Sequence, residues 1–95
     1  MGNPRCDQIL SDVDTALRTE VAGTAIGFSY TPQQGLSMTS ACENTQVTWI
    51  LGYNADGAML EIRRRYRSGE TNLSMPASAQ EAILSGLAFI RSPCA

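Results

Sequence analysis

Apolar side chains recur at three- and four-residue steps through Ile9, Leu10, Val13, Ala16, Leu17 and Val21, and at alternate positions in segments between Ile26 and Tyr66. They return to the longer step at Ile83, Leu87 and Ile90. A period near 3.6 marks one face of an α-helix and a period of two marks one face of a strand, so the chain reads as helix, strands, helix. A chain of 95 residues has room for one core, and residues 1–95 are taken as a single domain. The expected class is α+β, an antiparallel sheet of about four strands flanked by an N-terminal and a C-terminal helix.

The helix boundaries carry their own chemistry. Asn3 can accept hydrogen bonds from the free amides of a first turn, Pro4 arrives with φ already helical, and Asp7 sets negative charge at the positive end of the dipole. A helix from Asn3 to Glu20 follows, stopped by Gly23. Ser78-Ala79-Gln80-Glu81 matches a capping box and opens the second helix, with Pro93 ending it. Gly86 and Ala82 are small enough to let that helix lie close to the sheet.

Between the helices, Ile26, Phe28 and Tyr30 alternate with small residues, and Thr31-Pro32-Gln33-Gln34-Gly35 reads as a turn into Leu36, Met38 and Ser40. Val47, Trp49, Leu51 and Tyr53 give the strongest strand pattern. Asn54-Ala55-Asp56-Gly57 should turn it into a returning strand over Met59 to Tyr66. Leu60, Ile62 and Tyr66 face one way on that strand while Glu61, Arg63, Arg65 and Arg67 face the other, and Arg64 interrupts the apolar side. Ser68 to Asn72 reads as a polar loop, with Leu73 and Met75 as a short extended segment at most.

Charge and composition narrow the function classes. The chain has seven Arg, no Lys and no His, and a net charge of −2. Without His, a His-based dyad or triad is excluded, and a metal centre would depend on carboxylates and thiols. No apolar run approaches the roughly 20 residues that span a bilayer, and the N-terminus lacks a signal-like pattern, so no membrane role is expected. Cys6, Cys42 and Cys94 are too few and too dispersed for a disulfide scaffold or a paired zinc site. They are read as free thiols of a cytoplasmic protein. If two are bridged, Cys6 with Cys94 is the most plausible pair, and a bridge would imply a secreted or periplasmic home.

One cluster stands out. Arg63, Arg64, Arg65 and Arg67 surround Tyr66, and on a strand Arg63, Arg65 and Arg67 project to one side about 7 Å apart, close to the phosphate repeat of an extended single strand. Exposed charges on a strand also discourage edge aggregation, which needs no ligand. From Gly57 onward, a basic strand, a short segment and a capped helix resemble the ββββα units of single-strand-binding Whirly-type and transcription-coactivator folds, over less than half of the chain and without the first helix. That resemblance implies nucleic-acid contact.

The expected function is a small non-enzymatic binding module without a cofactor, probing a protein partner through an open sheet face or an edge strand and pairing as a homodimer. Single-stranded nucleic-acid binding is the alternative. The candidate binding residues are Arg63, Arg65, Arg67, Tyr66, Trp49 and Ile50, with Met38 and Met59 as further apolar contacts, and no catalytic or metal-ligating residue is assigned.

Overall fold

The computed structural model describes residues 3–94. Its elements run α1 (Pro4–Val21), β1 (Gly27–Thr31), β2 (Gly35–Cys42), β3 (Thr45–Tyr53), β4 (Leu60–Tyr66), β5 (Gly69–Ser74) and α2 (Ala79–Arg91). The five strands form one antiparallel sheet in sequence order, β1-β2-β3-β4-β5. The α+β class and the flanking helices stand as the sequence implied, with one strand more than expected.

That extra strand is β5, over the stretch that reads as a polar loop. Its register with β4 pairs Arg65 with Glu70, Arg64 with Thr71 and Ile62 with Ser74, with an irregularity between Ile62 and Arg63. Backbone pairing and cross-strand charge hold β5 in place, so it needs no run of alternating apolar residues, and Leu73 is its one large apolar side chain.

The caps form as their residues dictate. Asn3 Oδ1 accepts from the amides of Arg5 (2.9 Å) and Cys6 (3.4 Å). Ser78 Oγ accepts from the Glu81 amide at 3.3 Å, while Glu81 reaches back to the amide of Ala77 at 3.0 Å. In the β3–β4 loop the Asn54 carbonyl accepts from the Gly57 amide at 2.9 Å, and Gly57 takes φ 72°. Gly35, which opens β2, has φ 81°, and a Cβ there would lie 2.3 Å from the Leu51 carbonyl oxygen, so both conformation and space require glycine.

Both helices lie on the same face of the sheet and cover a core of Leu10, Val13 and Leu17 from α1, Leu36 and Met38 from β2, Val47, Trp49 and Leu51 from β3, Leu60 and Ile62 from β4, and Ala82 and Phe89 from α2. Phe28 and Tyr30 of β1 pack against it. Gly86 brings α2 close to α1 rather than to the sheet, since a Cβ there would meet Leu17 Cδ1 at 2.4 Å. Trp49 Nε1 donates to Ser85 Oγ at 3.0 Å, which satisfies the indole under α2.

The cysteines depart from expectation. Cys42 and Cys94 are bridged, with Cα atoms 5.3 Å apart, and Cys6 is free. Cys42 ends β2 at a tight turn in which Glu43 takes φ 58°. Beyond α2, Pro93 turns the chain back toward the sheet and its carbonyl accepts a hydrogen bond from Arg64 Nη2. Cys94 thereby meets Cys42, whereas Cys6 lies in the first turn of α1 beside Met59 and Pro76.

Candidate functional site

Period-two alternation places Arg63 and Arg65 of β4 on the sheet face away from the helices, and there they meet Thr48 and Ile50 of β3 in register. Ser29, Ser37 and Thr39 continue that face, and together these residues border an open groove of about 490 Å³. Thr39 and Thr48 join their hydroxyls across the strands at 3.1 Å.

The two arginines on this face are already matched. Arg63 Nε lies 3.7 Å from Glu61 and its Nη1 lies 3.6 Å from Glu70, while Arg65 Nε donates to Glu70 Oε2 at 2.7 Å. The hydrogen bond from Arg65 holds the Glu70 carboxyl below its ordinary pKa, helped by the nearby charge of both arginines and opposed by partial desolvation. A ladder of alternating charge therefore runs over β4 and β5, and its positive potential is largely cancelled within the chain.

The remaining candidates divide between locations. Ile50 is on the open face yet only 5% exposed, because it sits between Ser37 and Arg63 in the ladder, so it offers almost no apolar surface. Trp49, its neighbour, points to the opposite face and is 1% exposed in the core, so it is not on the open face with Ile50. Met38 is fully buried for the same reason, and Met59 stays half exposed. Tyr66 falls on the helix side at the end of β4, beneath the Arg64 guanidinium (5.5 Å from its ring). Arg67 lies past the end of β4, in the turn, rather than in line with Arg63 and Arg65 on the strand. Arg65, Tyr66 and Arg67 nevertheless border one shallow groove of about 350 Å³ with Thr45 and Gln46.

A different surface collects the exposed apolar residues. Leu73 on β5, Met75 just beyond it and Leu84 on α2 are 47%, 49% and 56% exposed. Leu73 faces Ser85, Ala88 and Ser92 of the α2 side across a cleft of about 180 Å³ floored by Trp49, Phe89 and Arg64. Leu84 stands one turn before Ala88 on the same side of the helix and extends that wall. Every strand except β5 places a side chain in or against the core. These residues carried a faint signal in the sequence, because Leu73 and Met75 alternate with polar neighbours and Leu84 lies beside the stripe of α2.

Among the described residues, no three Cys, Asp or Glu side chains converge to hold a metal ion. Among the same residues, no helix is long and apolar enough to cross a membrane. Compared with known proteins, the chain matches no family model, and no curated protein or solved structure is significantly similar to it.

Proposed function

We propose that the chain is a small non-enzymatic binding module that contacts a protein along the bare margin of its sheet, formed by β5 and the cleft between β5 and α2, and that a second copy of the chain is one such partner. The observation that carries this reading is the exposure of Leu73, Met75 and Leu84 beside an edge strand that gives nothing to the core. An edge strand presents a row of unpaired amides and carbonyls, and a strand from a partner satisfies them while apolar neighbours supply the burial. In a two-fold dimer the same patch serves both copies.

Size-exclusion chromatography with light scattering tests it. Dimer growing with concentration is expected, with Leu73→Ser plus Leu84→Ser monomeric and Arg63→Ala plus Arg65→Ala unchanged. A monomer at every concentration removes the self-association, and a dimer lost only in the arginine variant moves the surface to the open face.

Single-stranded nucleic-acid binding is supported by one feature, the groove shared by Arg65, Tyr66 and Arg67. The ion pairs of Arg63 and Arg65 with Glu70 weigh against it, since phosphates would have to displace them. Fluorescence polarisation with a labelled oligonucleotide at low salt separates the readings, because only the second expects binding that Arg65→Ala and Arg67→Ala abolish.

The cytoplasmic placement expected from free thiols gives way here to an oxidising compartment, a reading supported by the Cys42–Cys94 bridge.

A further inference from the structure

The second helix buries Ala82, Gly86 and Phe89 and packs Ile83, Leu87 and Ile90 against the core only in part, so Phe89 is its one large side chain in the buried core. The Ser92 amide caps α2 on the Ala88 carbonyl at 3.0 Å, and beyond it two links tie the tail to the sheet: Arg64 bonds the Pro93 carbonyl, and Cys94 is joined to Cys42, 52 positions earlier. The core available to compensate for losing that bridge is modest, since Leu, Ile, Val and Phe make up only 19 of the 95 residues.

We propose that the Cys42–Cys94 bridge is a redox-controlled clasp on α2, so that the folded domain is secure only while these two thiols are oxidised. Closing a loop of this length removes enough freedom from the unfolded chain to change the unfolding constant about a thousandfold. Cys94 is exposed, so a small thiol can reach it. A thiolate of a dithiol reductant attacks the Cys94 sulfur, and the Cys42 sulfur leaves with the bonding pair and takes up a proton. The second thiol of the reductant then attacks the mixed disulfide and releases Cys94 as a thiol. Two electrons pass to the protein, and the reductant departs as its own disulfide. Cys6 stands apart, in the first turn of α1, and takes no part.

The test uses the full chain. Thiol titration of the air-oxidised protein in denaturant should count one free thiol, that of Cys6. Thermal unfolding followed by near-ultraviolet circular dichroism should then show a midpoint lower by about 15 to 30 °C in excess dithiothreitol, or loss of the folded signal at room temperature. Cys42→Ser with Cys94→Ser should behave without reductant as the reduced protein does, and Cys6→Ser should melt as the oxidised one. Three free thiols in the oxidised protein, or a midpoint that dithiothreitol leaves in place, overturns the proposal. The comparison of oxidised and reduced wild type decides it even if the double variant does not fold.

Discussion

The two edges of the sheet are strands of similar length in opposite situations. β1 carries Phe28 and Tyr30, is the more apolar of the two, and both side chains pack on the core. The Arg18 guanidinium of α1 lies over the Phe28 ring, 4.8 Å from its centre, so a helix shelters this edge. β5 is the more polar strand and all six of its residues are exposed. What protects an edge here is the chain packed beside it, not the polarity of the strand, and the polar edge is the one left with Leu73 and Met75 uncovered.

The largest effect lies in α1, the helix whose Arg18 shelters β1. Leu17 is fully buried and fills the space above Gly86, so Leu17→Ala should cost about 2–5 kcal/mol in urea unfolding. The matching change on the bare flank, Leu73→Ala, should stay within about 0.5 kcal/mol in the monomer, because no core contact is lost. Equal costs at the two sites would mean that Leu73 of β5 is as deeply packed as the α1–α2 contact.

The smallest effect sharpens the account of how β5 is held. Glu70 has its pKa depressed by Arg65, so the ion pair contributes stability above the ordinary carboxylate range and loses it as pH falls through the depressed value. Glu70→Gln should flatten the acid limb of stability against pH, and added salt should shrink the wild-type effect, since the pair is open to solvent. An acid limb identical in the variant would assign the stabilisation to other carboxylates.

Much of this architecture is legible in the residues, and the gaps have physical causes. The β3–β4 hairpin shows itself because one face is buried and the other is wet, which writes a period of two into Val47 to Tyr53 and Leu60 to Tyr66. β5 leaves no such trace, since neither of its faces is buried. The same periodicity forbids Trp49 and Ile50 from sharing a surface, so only one of them could have belonged to a site on the sheet. Ile50 fails as an apolar contact through its cross-strand neighbours, which alternation alone does not identify. The bridge escaped because the pairing of Cys94 depends on the turn at Pro93 and on Arg64, an inward arginine that looks like a flaw in an apolar face until its carbonyl partner is in place.

Amide hydrogen exchange resolved along the chain, measured at low and high protein concentration, bears most directly on the bare margin as the contact surface. Protection should rise with concentration in residues 69–74 and in α2 around Leu84, and stay constant in β1. Protection that rises in β1 or over Thr48 to Ile50 instead, with β5 unchanged, would contradict it.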